Sequence, residues 1–133
     1  MNYAISPPSV HSGHGPARRQ VRAPFALGMG AVAVAAAVAA AALTSPWLLL
    51  LWLVPDVPLL AWMSRASGER GRLEPRAVPA YNALHALPGP VLLTAAGVAA
   101  PVLLAPGLVW SSHVLADRAL GYGLRGDDGW QRV

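Results

Sequence analysis

The sequence predicts an all-α protein, an integral membrane bundle of four transmembrane helices with both termini in the cytoplasm. Charged residues make up only 12% of the 133 residues, against about 25% in soluble domains. They are clustered, so that long stretches of the chain carry no charge, and hydrophobic residues make up 55% of the total. This composition therefore favours a membrane protein over a globular domain with a polar surface.

Charge and cysteine content exclude further classes of function. The net charge is +4, and all ten basic residues are Arg in short segments that flank the apolar stretches. Membrane topology explains this distribution better than phosphate binding does, so we expect no nucleic-acid partner. Because the chain has no Cys, disulfides, thiolate nucleophiles and cysteine-ligated metal sites are excluded as well.

The first apolar stretch predicts the first span. Residues 1–22 mix Pro, Ser, Gly and His without a hydrophobic period, which predicts a disordered cytoplasmic tail. The 21 uncharged residues from Ala23 to Leu43 correspond to about 30 Å of helix, the thickness of a bilayer core. A cleavable export signal is the alternative, since Arg18 and Arg19 precede the stretch and small residues end it.

Three further spans are predicted downstream. The second runs from about Pro46 to Met63, and a polar loop follows at 64–76. The 40 residues from Ala77 to Ala116 carry no formal charge and would form about 60 Å of helix, twice the length of one crossing. A turn near Gly97 to Pro101 divides them into spans at about 77–98 and 101–120. The membrane domain thus covers 23–126, and a short C-terminal tail covers 127–133.

The distribution of arginine predicts the orientation of these spans. With four spans, the N-terminal tail, the 64–76 loop and the C-terminus lie on one side, which then holds all ten Arg. The two opposite turns hold none. Because basic residues are retained in the cytoplasm, we expect both termini there and the lipid bilayer as the main partner.

Seven polar side chains fall within the predicted spans and form a candidate intramembrane cluster. Polar and ionisable groups at such depth are costly and usually face a bundle interior or a hydrated cavity. Counting from the cytoplasmic arginines places Asp56, His85 and Asp117, which lie on three different helices, at one level, about 12–14 Å along each helix. The seven are Asp56, Tyr81, Asn82, His85, His113, Asp117 and Arg118.

Helical spacing and proline refine this cluster. His113 and Asp117 share a helix face at i,i+4, whereas Arg118 points elsewhere, towards headgroups or a carboxylate such as Asp56. Proline residues bracket Asp56 and follow His85 by about a turn, and each frees a backbone carbonyl. Freed carbonyls are tolerated only where protein or water reaches them, which favours a hydrated pocket in the cytoplasmic half of the bundle.

Three blocks of sequence carry a resemblance to a known family. They are Pro55-Asp56, Tyr81-Asn82-Ala83-Leu84-His85 and the segment HVLADRALGYGL at 113–124. Together they resemble the domain-of-unknown-function 4260 family of small bacterial integral membrane proteins, over about residues 23–126. The resemblance implies a compact multi-pass protein of the bacterial cytoplasmic (inner) membrane and implies no activity. The chain departs from the family in its long tail and in the absence of an acidic residue from its first span.

Three functions are compatible with the cluster. We expect foremost a structural polar network that fixes helix packing, without enzymatic activity or a cofactor, because small residues and a few polar contacts commonly hold membrane helices together. The first alternative is proton or small-solute transport, which would need a homo-oligomer because one chain supplies only four helices. The second is a metal-dependent enzyme in which a first-row metal ion is bound by His85, His113, Asp117 and Asp56.

Overall fold

The computed structural model describes residues 23–43, 45–63 and 71–132. Apart from an isolated antiparallel bridge between Arg125 and Gln131, regular structure in these residues is helical, which confirms the all-α prediction. The predicted N-terminal tail at 1–22 and most of the polar loop lie outside the described residues. The α-helices are α1 (Ala23–Leu43), α2 (Val57–Met63), α3 (Val78–His85), α4 (Pro88–Ala99) and α5 (Leu104–Ala119), and the 3₁₀ helices are Pro46–Asp56, Pro75–Ala77 and Pro101–Leu103.

Helices α1 and α5 form an antiparallel pair. Near one end of the pair, a Cβ atom built on Gly30 would lie 3.8 Å from the Cβ atom of Ala119. Near the other end, Ala40 packs with Ala105 and Val109 in one buried cluster. The start of α1 and the end of α5 therefore lie at the same end of the bundle.

The second predicted span begins as a 3₁₀ helix rather than an α-helix. This helix covers the 11 residues Pro46–Asp56 and continues directly into α2. Pro55 and Pro58 each lack a backbone donor, and the N–H of Val57 donates to the carbonyl of Val54, three residues earlier. Runs of 3₁₀ helix this long are uncommon, and the sequence analysis did not foresee this one.

The predicted third span is divided into two helices, α3 and α4. Ala86 is extended (φ −80°, ψ 132°), and the helix restarts at Pro88, whose ring suits a first helical turn. Pro88 cannot donate to the carbonyl of Leu84, which instead accepts a hydrogen bond from Nε1–H of Trp110 at 2.7 Å. A side chain of α5 thus satisfies the freed carbonyl, and α3 ends beside α5.

Helices α4 and α5 approach each other closely after a tight turn. The turn lies where the sequence predicts it, since α4 ends at Ala99 and the next 3₁₀ helix begins at Pro101. A Cβ atom on Gly107 would lie only 2.6 Å from the backbone nitrogen of Thr94. The hydroxyls of Thr94 and Ser111 are 3.2 Å apart across the same interface. Close contact at small residues is typical of helix pairs in membranes.

The chain closes with a compact turn after α5, which we call the C-terminal turn (residues 124–132). The N–H of Gly126 donates to the carbonyl of Trp130 at 2.7 Å, and the N–H of Leu73 donates to the carbonyl of Gly129 at 3.0 Å. Residues 127–132, assigned to a tail in the sequence analysis, are part of this turn. The turn is therefore joined to the segment that leads into α3.

Large apolar side chains are exposed along the first two helical segments. Phe25 and Leu27 of α1 are 62% and 74% exposed, and Trp47 is 77% exposed. Helix α1 is long and apolar enough to cross a membrane by length and composition, and the apolar helical segment Trp47–Trp62 is shorter. Large exposed apolar patches are rare on soluble monomeric proteins.

Candidate metal centre

Two histidines and two aspartates converge between three helical elements. Asp56 ends the long 3₁₀ helix, His85 ends α3, and His113 and Asp117 lie one turn apart on α5. The Nε2 atoms of His85 and His113 are 3.2 Å apart. We call these four residues the His/Asp cluster.

Both carboxylates of the His/Asp cluster face both imidazoles. Oδ1 of Asp56 lies 3.4 Å from Nε2 of His85 and 3.8 Å from Nε2 of His113. Oδ2 of Asp117 lies 3.4 Å and 3.7 Å from the same two nitrogen atoms. Two nitrogen and two oxygen atoms therefore surround one small space.

The cluster is closed on the histidine side and more open on the carboxylate side. The side chains of His85 and His113 are 2% and 1% exposed, whereas those of Asp56 and Asp117 are 30% and 20% exposed. The imidazoles therefore form the inner wall of the cluster, and the carboxylates form its outer edge.

A backbone hydrogen bond sets the proton position on His85. Its Nδ1 lies 2.8 Å from the carbonyl oxygen of Tyr81. Because a carbonyl oxygen only accepts, Nδ1 carries the proton, and Nε2 of the neutral ring directs a lone pair into the cluster. Histidines that bind metal ions are commonly oriented in this way by a carbonyl on the opposite ring nitrogen.

Aromatic side chains hold both imidazoles in place. The ring of Tyr81 stacks on that of His85, with centroids 3.9 Å apart and an interplanar angle of 16°. The ring of Trp52 meets that of His113 edge-on at 4.7 Å. Arg125 lies on the outer face of Tyr81, with its guanidinium carbon 5.0 Å from the ring centroid.

The structure places Asn82 and Arg118 outside the His/Asp cluster. The side chain of Asn82 donates to the carbonyl of Arg125 at 2.9 Å and accepts from the N–H of Arg125 at 2.8 Å. Arg118, expected at headgroups or at a carboxylate, instead donates to the carbonyls of His85 at 3.0 Å and Tyr122 at 3.1 Å. Both side chains bind backbone groups around the end of α3.

Three residues that position the cluster were missed as site residues in the sequence analysis: Trp52, Trp110 and Arg125. Trp110 precedes His113 by three residues, a spacing that brings side chains near one another on an α-helix, whereas Trp52 lies four residues before Asp56 in a 3₁₀ helix, where that spacing does not. Arg125 is 7% exposed, and its Nη1 donates to the carbonyls of Gly71 and Gly129 at 2.9 Å. No local pattern indicates a buried Arg whose partners lie in loops.

The distances among three of the atoms, those of Asp56, His85 and His113, are close to those of tetrahedral coordination. Bonds of about 2.0–2.1 Å from Zn²⁺ to nitrogen or oxygen place neighbouring ligand atoms about 3.3–3.4 Å apart. The nitrogen–nitrogen distance in the cluster is 3.2 Å and the nitrogen–oxygen distances are 3.4–3.8 Å. The ligand atoms of Asp56, His85 and His113 all lie within 4.8 Å of one another. Imidazole and carboxylate ligands suit zinc, iron and manganese.

Comparison with known proteins identifies the family. The family model described as Domain of unknown function (DUF4260) matches residues 25–133. The chain belongs to this family. No curated protein and no solved structure matches the chain. The resemblance seen in the sequence is thereby confirmed, and the match includes both the His/Asp cluster and the C-terminal turn. Because the family description assigns no activity, function has to be argued from the cluster itself.

Proposed function

We propose that this protein is a small multi-pass protein of the bacterial cytoplasmic membrane whose His/Asp cluster binds one first-row divalent metal ion, foremost Zn²⁺. The observation that carries the metal site is the convergence of two imidazole nitrogens and two carboxylate oxygens on one space. The membrane assignment rests on helix length and exposed apolar surface.

Helix α1 is long enough to cross a bilayer as a single helix, and the summed rise of the helices in each of the three following passes is similar. Helix α1 has 21 residues and supplies about 32 Å. The 11 residues of 3₁₀ helix and 7 residues of α2 also supply about 32 Å, because a 3₁₀ helix rises about 2.0 Å per residue. Helices α3 and α4, with 8 and 12 residues, supply about 30 Å, as does α5 with its preceding 3₁₀ turn.

The helix directions support cytoplasmic termini. The antiparallel packing of α1 and α5 puts the start of the first pass and the end of the fourth at one end of the bundle. In a four-pass arrangement the sequence segments that carry the ten Arg would adjoin the passes at that end, and the segments that form the two opposite turns carry none. This asymmetry favours an inside location for the arginine-bearing end.

Single-cysteine labelling tests the topology without background, because the natural chain has no Cys. We expect Ser45→Cys, between the first and second passes, to react with a membrane-impermeant thiol reagent added to intact spheroplasts. We expect Gln131→Cys, in the C-terminal turn, to react only after the membrane is permeabilised. Equal labelling of the two variants in intact spheroplasts would contradict the four-pass arrangement.

The balance of charge favours an ion in the cluster. Two carboxylates face the two imidazoles, and the Nδ1 hydrogen bond of His85 leaves its Nε2 without a proton. Two carboxylates in a medium of low dielectric are costly unless a positive charge compensates them. A divalent ion with two neutral imidazoles and two carboxylates gives a site of zero net charge.

Elemental analysis of the purified full-length protein tests the metal site. The protein is extracted in detergent, stripped with a chelator and re-equilibrated with an equimolar mixture of divalent zinc, manganese, iron and cobalt. We expect it to retain about one ion per chain. The retained ion should be mainly Zn²⁺, whose affinity for nitrogen and oxygen ligands exceeds that of the other three. Retention of no ion under these conditions would contradict the proposal. In that case the cluster would be the hydrogen-bonded network that the sequence predicts.

The residues around the His/Asp cluster have the role in helix packing that the sequence predicts for all seven polar residues. Trp110, Asn82 and Arg118 each donate to a backbone carbonyl on or near the interrupted helix α3 or the C-terminal turn. These bonds fix the end of α3 and thereby the position of His85. We therefore assign metal binding to the His/Asp cluster and helix positioning to the residues around it.

A further inference from the structure

We propose that the ion in the His/Asp cluster keeps one exchangeable coordination position, beside Asp117, that accepts water or a small anion. Asp56, His85 and His113 are then the ligands, and Asp117 accepts a hydrogen bond from the exchangeable water. This inference rests on the proposed metal site and goes beyond it, because a purely structural ion would have a closed coordination shell.

The ligand set supports an open position. Asp56, His85 and His113 bring their ligand atoms within 4.8 Å of one another and come from three different helical elements. Three protein ligands with water in the fourth position are typical of catalytic zinc sites, whereas structural zinc sites have four protein ligands. Two histidines and one carboxylate are a ligand set typical of catalytic zinc sites.

Exposure places the open position on the carboxylate edge. Trp52 and Tyr81 cover the imidazoles, which are 1–2% exposed. Asp117 retains 20% exposure of its side chain. An exogenous ligand therefore has access to the ion from the side of the carboxylates and not through the imidazoles.

Asp117 is placed to contact that ligand. Its Oδ2 lies 3.4 Å and 3.7 Å from the two Nε2 atoms, on the side of the cluster that solvent reaches. A carboxylate at this distance from the ligand atoms can accept a hydrogen bond from metal-bound water, as outer carboxylates do in metal centres. Asp117 is in this view a positioning residue for the exchangeable ligand.

Charge around the cluster favours an anion over a cation as the exogenous ligand. The divalent ion and two carboxylates sum to zero, and the guanidinium of Arg118 donates to the carbonyl of His85, directly behind the cluster. The residual charge near the ion is thus positive. A small anion, or the anionic oxygen of a carboxylate or phosphate group on a larger molecule, is the ligand class that this charge favours.

Cobalt substitution with azide as the probe tests the inference on the full chain in detergent. Loaded with Co²⁺ in place of Zn²⁺, the protein is expected to show a visible absorption spectrum that shifts saturably on addition of azide. Asp117→Asn is expected to retain cobalt with an affinity lowered by no more than about 10–100-fold, the effect of losing an outer partner. The same variant should bind azide several-fold more tightly, because a negative charge beside the open position is removed. Asp56→Asn is the matched variant and should lose cobalt.

The outcomes separate the inference from the proposed function. Bound cobalt with a spectrum that azide leaves unchanged overturns the open position and leaves the metal site intact. Loss of cobalt in Asp117→Asn as complete as in Asp56→Asn overturns the assigned role of Asp117, because it makes that carboxylate a ligand. Failure of the natural protein to bind cobalt overturns both proposals.

Discussion

His113→Ala is expected to lower the affinity of the chain for Zn²⁺ by more than about 100-fold, since loss of even an outer partner of a metal ligand costs about 10–100-fold. His113 is 1% exposed, and its Nε2 lies within 3.8 Å of an atom of each of the other three residues of the His/Asp cluster. An alanine at this position has no atom that can bind the ion, and water cannot take the place of the imidazole because that side of the cluster is closed. Competition with a chromophoric chelator in detergent measures the affinity.

Ser112→Ala is the matched control for this prediction. Ser112 is adjacent on α5 and equally buried, but its hydroxyl donates to the carbonyl of Val109 at 2.7 Å and takes no part in the cluster. We expect Ser112→Ala to bind Zn²⁺ like the natural protein. Equal affinities of His113→Ala and Ser112→Ala would show that the imidazole is not a ligand.

Gly107→Ala is expected to destabilise the protein by about 3 kcal/mol, the upper end of the usual cost of overpacking. The added Cβ atom would lie 2.6 Å from the backbone nitrogen and 2.7 Å from the Cα atom of Thr94. Because the neighbour is backbone, relief requires α4 and α5 to move apart, which also breaks the contact between Thr94 and Ser111. The shift in thermal unfolding midpoint in detergent measures the loss.

Gly28→Ala provides the comparison for Gly107→Ala. A Cβ atom on Gly28 would meet nothing within 4 Å among the described residues. Since alanine has a higher helix propensity than glycine, we expect this variant to unfold at or slightly above the temperature of the natural protein. If the two glycine variants unfold at the same temperature, the close approach of α4 and α5 is not important for stability.

Much of the helical arrangement could be predicted because it follows from local composition. The uncharged stretch at 23–43 is the whole of α1. The turn between Ala99 and Pro101 follows from the length of the uncharged stretch at 77–116, which is too long for one crossing. The shared level of Asp56, His85 and Asp117 was inferred by counting residues from the flanking arginines. These inferences require only the rise per residue of an α-helix and the thickness of a bilayer.

Features that depend on distant contacts could not be predicted. Asn82 is polar and near His85 in sequence, but its partner is the backbone of Arg125, 43 residues away in a turn without a recognisable pattern. The prolines after His85 indicated a kink. The complete interruption at Ala86 depends in addition on the hydrogen bond that Nε1–H of Trp110 donates to the carbonyl of Leu84. Sequence spacing alone does not reveal such pairs.

The presence of His113 and Asp117 on the same late helix has a consequence for biosynthesis. Asp56 and His85 precede α5 in the chain, so in the proposed four-pass arrangement a nascent chain would hold an uncompensated carboxylate in its second pass until the fourth inserted. Such a group favours delayed insertion or escape towards water. On the proposed function, the ion would therefore be bound late in assembly, after α5 is made.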